Sequence, residues 1–432
     1  MVYMNLTKQQ AIIVGGVFIV VVVFVLGFLG VIPGFKKAPS GDPNFPQGKI
    51  ELSLWGFGDT EQDFSDVFKA YQGIHQNVRI VYTSFPSAQV YERELVNALA
   101  EGRGPDIFMI ENTWVNEHGA KMAPSLGISP QALAQTFPDV VVSDVVRNGQ
   151  TYALPLYMDS LALLYNKDLF NARAVLYPPQ TWDDVISISK QLKELDATKK
   201  IQIASIALGG VSNISHVEDV VSVLMLQGGS SIARPDEFGG VRFDNAAQEA
   251  VSFYLQFSNP SSSSYTWNES FPNSRTAFAD GSVAMIIDYH EALADIANKN
   301  PFLAVGTATL PQLNSRSPVG YVRYKALTVS RQASAATQYV GWDFITFATT
   351  NTQANNIYLE KTKRLPALRS GITTALGTED SPFMRGALIA RSWPQNDASN
   401  THDVFVSMLS DILSGRVDSS RALRAAEEEL NK

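Results

Sequence analysis

Lys49-Ile-Glu-Leu-Ser-Leu-Trp-Gly-Phe57 opens the patterned part of this chain, with Ile50, Leu52 and Leu54 at the two-residue period of a half-buried strand. Phe64, Val67, Phe68 and Tyr71 follow at i, i+3, i+4 and i+7, the spacing of a helix with one apolar face. Val78–Thr83 reads as a second strand, and Tyr91–Glu101 as a second helix with Tyr91, Leu95, Ala98 and Leu99 inward. Ile107–Ile110 reads as a third strand, apolar throughout as in a sheet covered on both faces. Strand, helix, strand, helix, strand predicts a mainly parallel, doubly wound α/β sheet. In such sheets ligands sit outside the carboxyl ends of the strands. The loops Gly56–Thr60, Ser84–Gln89 and Glu111–Asn116 occupy that rim. They carry Asp59, Ser84, Asn112, Thr113 and Trp114, a mixture that suits a polar solute with apolar ring faces.

N-terminal to this unit, no charged residue occurs from Gln9 to Phe35, and Ala11–Ile32 is wholly apolar if glycines are counted so. A helix of that length covers the roughly 30 Å hydrocarbon core of a bilayer. A cleavable signal peptide has a shorter apolar run and a small-x-small exit, whereas here the exit is Val31-Ile-Pro-Gly-Phe-Lys-Lys-Ala-Pro39. Residues 1–35 are therefore expected to be an uncleaved single-pass membrane anchor. Lys8 on one side against Lys36 and Lys37 on the other leaves orientation to the soluble domain. Residues 36–48, rich in Pro and Gly, read as a flexible stalk.

Toward the C-terminus a strand-rich segment, Thr151–Asn166, leads to a helix opened by Thr181 with Asp184 as its capping-box partner. The alternation then repeats with Ile203–Leu208 and Val283–Ile287 as strands and Val217–Met225 and Ala246–Phe257 as helices, predicting a second α/β lobe. Tyr324–Ser330 reads as a strand, Ala335–Thr349 as a well-buried helix, and Phe405, Met408, Leu409 and Ile412 as the apolar face of another. A length of 432 residues is itself more than one core usually holds. With 34 basic and 42 acidic residues the formal charge is −8, which argues against nucleic acid as a partner. The absence of cysteine removes disulfides, thiolate catalysis, cysteine-ligated zinc and a lipidated-cysteine anchor together.

Five stretches in fixed order, Leu52-Ser-Leu-Trp-Gly-Phe-Gly-Asp59, Ala98-Leu-Ala-Glu-Gly-Arg-Gly-Pro-Asp-Ile-Phe108, Tyr152-Ala-Leu-Pro-Leu156 running into Leu164-Tyr-Asn-Lys-Asp168, Pro179-Gln-Thr-Trp182 and Ala277-Phe-Ala-Asp-Gly-Ser-Val-Ala-Met285, resemble the family 1 extracellular solute-binding proteins, the group that includes the maltodextrin-binding protein. The resemblance implies a two-lobed periplasmic-binding-protein-like α/β fold with several crossings and a solute held in the cleft. It implies residues 49–156 and 312–358 as one lobe and residues 157–311 and 359–432 as the other. The function it implies is the extracytoplasmic receptor of an ABC importer for a sugar or oligosaccharide, with the permease subunits as partners and no cofactor. Carried over, Gly58 and Asp59 stand at a polar ligand contact after the first strand. Asn112, Thr113 and Trp114 stand in the loop after the third strand, Asp159 in the crossing, and Asp288, Tyr289 and His290 after the Val-Ala-Met strand.

Asp59 and Asp159 each could accept hydrogen bonds from two hydroxyls; Asp59 reads alternatively as a cap of the following helix. Trp114, Tyr289 and Trp393 offer flat apolar area to sugar rings, with core packing as the competing reading. His290 reads equally as structural. No Gly-x-Ser-x-Gly, His-Glu-x-x-His or phosphate-cradling Gly-x-x-x-x-Gly-Lys-Ser/Thr occurs, so no enzyme, metal or cofactor is expected. Carboxylates alone leave a tethered glycoside hydrolase open, and a surface-binding protein outside transport is the third class.

Overall fold

In the computed structural model, which describes residues 45–232, 240–393, 395 and 398–432, the alternation that opens the domain becomes strand β1 (Ile50–Phe57), with Leu52 and Leu54 fully buried and Glu51 exposed. It pairs in parallel with β2 (Val78–Phe85) along its length and with β3 (Ile107–Glu111) at its end. A return strand from far down the chain, Lys325–Ser330, lies antiparallel to β3 and also pairs with Met122–Ala123 and Leu154–Pro155. The first-lobe sheet is thus mainly parallel, closed on one side by this single reversed strand.

Its helices follow the predicted periodicity. Asp63 accepts from the Thr60 N–H at 2.7 Å to fix the start of the helix Glu61–Ile74, which buries Phe64, Val67, Phe68 and Tyr71. That face packs on the helices Thr352–Thr362 and Ala335–Thr350, with Phe64 5.0 Å from the Tyr358 ring and Phe68 5.8 Å from Phe344. Ser87 caps the helix Ala88–Ala100 by accepting from Val90 N–H at 3.3 Å.

The second lobe departs from the expected alternation. Its sheet is antiparallel, with Ala162–Asn166 between Met285–Asp288 and Val305–Thr309. The strand expected over Ile203–Leu208 is instead Ile201–Ile203, hydrogen-bonded to Glu194–Leu195. Beyond it Ala204 makes one bridge to Val283, and the Ser205 N–H turns to the Thr266 hydroxyl at 2.7 Å, which takes the backbone out of the sheet. The Thr181–Asp184 capping box forms and opens the helix Trp182–Leu192. The helix Val217–Gln227, buried all round, packs against Asn245–Leu255 and Ala398–Leu413.

Each passage between the lobes supplies one strand to a small sheet of its own. Asp159–Ser160 pairs antiparallel with Gly320–Arg323, which pairs in parallel with Ala390–Arg391. Residues 49–432 form one unit. The expected anchor Ala11–Ile32 and most of the stalk lie outside the described residues. Among the described residues no helix is long and apolar enough to cross a membrane.

Candidate functional site

Where β1 ends, Gly58 takes a left-handed backbone conformation, φ +68°, which residues with a side chain rarely adopt. A Cβ there would also come 2.6 Å from the Lys325 ammonium, so glycine makes room for that cation. The Lys325 Nζ donates to the Phe57 carbonyl at 2.7 Å and lies 4.1 Å from the centre of the Phe57 ring. Burial holds its pKa below the ordinary lysine range.

This corner opens into a cavity of about 520 Å³ between the lobes. From the first lobe come Phe57, Gly58 and Glu111, at the carboxyl ends of β1 and β3, and from the second lobe His216, Tyr289, His290, Glu291 and Ala294. The passages between lobes add Tyr157, Asp159, Arg323, Tyr324, Lys325 and the run Thr362–Leu365.

Of the residues singled out in the sequence, Gly58, Asp159, Tyr289 and His290 meet around this cavity. Asp159 is half-buried and accepts from the backbone N–H groups of His290 at 3.0 Å and Glu291 at 3.2 Å, tying the crossing strand to the second lobe. Burial, with the Glu291 charge adding, pushes its pKa up to about 7. Tyr289 donates its hydroxyl to Asp219 at 2.8 Å, and His290 faces Asp380 at 3.2 Å.

The other residues singled out lie outside that lining, and each except half-buried Thr113 is bound or packed by the protein itself. Asp59, 3 % exposed, neither faces the cavity nor caps the helix. Arg364 donates to its Oδ1 at 2.6 Å, and the Tyr358 hydroxyl to its Oδ2 at 3.1 Å. Asn112 donates to Asp144 at 3.2 Å and accepts from Tyr324 N–H at 3.3 Å. Trp114, 2 % exposed, stacks on Phe57 at 5.5 Å inside the first lobe. Asp288, fully buried, holds Arg275 through two bonds of 2.7 Å. Trp393 donates to Ser222 at 3.1 Å and lines a separate cavity of about 290 Å³.

Sequence reading missed the cations Arg323, Lys325 and Arg364, and the groups Glu111, Tyr157 and His216. The first two carried a signal: a charged pair at period two, on either side of Tyr324, leading into an otherwise uncharged strand. Arg364 reaches Asp59 from the far end of the helix Thr352–Thr362 and lies 4.3 Å from the Tyr157 ring centre. Two groups of carboxylates with a histidine come within metal-binding reach of one another, Glu92–Glu117–His118 and His216–Glu218–Asp219. In the second, the Arg323 guanidinium already supplies the positive charge, 2.6 Å from both Glu218 and Asp219. In the first, Lys121 faces His118 Nδ1 at 3.2 Å and Glu92 faces Nε2 at 3.0 Å, so both ring nitrogens already have protein partners. Burial, with Arg323 and Arg275 on either side, drives the His216 pKa down to about 3, so that ring is neutral.

Two α/β lobes joined by three passages around a cavity of mixed polar and apolar lining define the class of bilobal receptors that take a ligand between their lobes. The chain belongs to the bacterial extracellular solute-binding protein family, whose pattern matches residues 58–355. A binding protein of Brucella abortus (strain 2308) is 24% identical over 255 residues, which make up 57% of this chain and 59% of the relative, so the chain spans about three fifths of the curated relatives it matches first. Among solved structures, the cyclic α-maltosyl-1,6-maltose binding protein of Arthrobacter globiformis superposes with a TM-score of 0.73 at 19% identity, covering 89% of this chain and 98% of that one. A cyclo/maltodextrin-binding protein complexed with maltotetraose superposes at 0.72 with 16% identity, covering 90% and 97%. At these identities the likeness is one of fold.

Proposed function

We propose that this chain is the extracytoplasmic solute-binding receptor of an ABC importer, capturing a sugar or oligosaccharide rather than transforming it. The observation that carries this reading is the interlobe cavity, which is lined from both lobes and from the passages between them by hydrogen-bonding groups together with the half-buried Tyr157 ring. Sugars need both: apolar ring faces to lie on aromatic rings, and hydroxyls that donate and accept together. Family membership, and relatives described as binding proteins for maltooligosaccharides, support the same reading. In it the apolar run Ala11–Ile32 holds the receptor at the cytoplasmic membrane, and the permease subunits receive the closed, loaded form.

The test is a thermal-shift and calorimetry screen of the full chain, held in a detergent without sugar head groups, against sugars, polyols, sugar phosphates and short peptides. A saturable sugar-dependent rise in Tm, with the sugar recovered unchanged, is the expected result. Stabilisation only by peptides, or conversion of the sugar to product, would replace this reading. Topology is checked separately: protease added to wall-stripped cells should digest the domain, and full protection would place it on the other side.

A further inference from the structure

Lys325 and Glu111 sit directly opposite each other on adjacent antiparallel strands, and both line the cavity. Residues so placed share one face of the sheet, with their first side-chain carbons about 4.5–5.5 Å apart. A lysine and a glutamate at such a position would ordinarily pair, yet among the described residues neither forms an ion pair. The ammonium is drawn aside to the Phe57 carbonyl, into the space that Gly58 leaves by having no side chain. One of its three N–H donors is used there, and Lys325 lines the cavity.

Most of the other lining charges are already matched; Asp159 is held by two backbone N–H groups, and Lys363 is exposed to solvent. Arg364 is held by Asp59, Arg323 by Glu218 and Asp219, and Glu291 by Arg275. Among the half-buried lining charges, Lys325 and Glu111 are thus the ones that no opposite charge or backbone N–H group holds: one donor-only group and one acceptor-only group, side by side. An acidic solute would satisfy Lys325 but lie against Glu111, and an amine would satisfy Glu111 but lie against Lys325. A hydroxyl both accepts and donates, so a neutral diol suits both groups at once.

Resting on the sugar reading above, we infer that Lys325 and Glu111 form a charge filter: together they grip adjacent hydroxyls of a neutral saccharide and turn away acidic and amino sugars alike. The test is calorimetry on the full chain with three sets of probes. The neutral set is maltose, mannobiose and cellobiose; the acidic set is maltose 6-phosphate and digalacturonate; the amino probe is a glucosamine disaccharide. The parent should bind a neutral probe at least about 100-fold tighter than any charged one, the penalty for placing like charges together in a closed cavity. Glu111→Gln should weaken the neutral probe by about 10–100-fold, the loss of one charge-assisted hydrogen bond, while narrowing its margin over the acidic set. Lys325→Met should do the same with respect to the amino probe. If the methionine variant does not fold, Glu111→Gln, on a half-buried side chain, decides the matter alone. A parent that binds a charged probe as tightly as a neutral one, or a Glu111→Gln that weakens neutral binding without narrowing that margin, overturns the filter and leaves the sugar reading standing. Silence across all three sets overturns both.

Discussion

Asp59 shows how far a residue's role is set by what reaches it from elsewhere. Its carboxylate is almost wholly buried, and Arg364 is the cation that matches it. Arg364→Ala should therefore cost about 3–5 kcal/mol in denaturant unfolding, because a buried charge is left alone, and adding Asp59→Ala should recover part of that loss. Asp159 makes a prediction of opposite kind. Its folded-state pKa of about 7 lies above the unfolded value of roughly 3.9, so the folded state holds the extra proton. Its contribution is fully present below pH ~4 and is lost as pH rises through about 7. The Tm of Asp159→Asn minus that of the parent should climb across that window and level above it; a flat difference would show that Asp159 titrates normally. Gly58, Asp159, Tyr289 and His290 were legible through the resemblance, which places each where a strand ends or the chain crosses between lobes. Asp288 and Trp114 have the same local signature, but their inward turn depends on Arg275 and on Phe57, partners that local sequence does not announce.

At the level of elements, period and capping carried most of the reading. The Thr181–Asp184 box is visible in four letters and forms as read, so Thr181→Ala should cost about 1 kcal/mol, measured from the denaturation midpoint. Strand direction in the second lobe was not legible. Ala162–Asn166 chooses two antiparallel neighbours that lie more than a hundred residues on, and nothing within a strand states which partner it will find. The sheet of crossings was invisible for the same reason, since Asp159–Ser160 and Ala390–Arg391 are each two residues long and carry no period of their own.

For the whole molecule the absence of cysteine is an experimental opening. Exposed Gln62 of the first lobe and Asn298 of the second can be changed to cysteine and spin-labelled without competition from native thiols. On the proposed mechanism a bound sugar should shorten the distance between labels, and an unchanged distribution at saturation would rule out closure. Turning a population from mostly open to mostly closed, 1:99 to 99:1, takes about 5.5 kcal/mol of preference, which contacts from both sides of the cleft would have to supply. The return strand Lys325–Ser330 has a different consequence, one of time. The ribosome delivers β1, β2 and β3 first, but the strand that covers the open edge of β3 emerges only after the second lobe's entire sheet. Until then the nascent first lobe exposes an unpaired edge beside the fully apolar Ile107–Ile110. Pulse-labelled nascent chains should thus gain protease resistance in the first lobe only once residue 330 is free to pair, which makes folding slow by topology and keeps the chain extended late in synthesis.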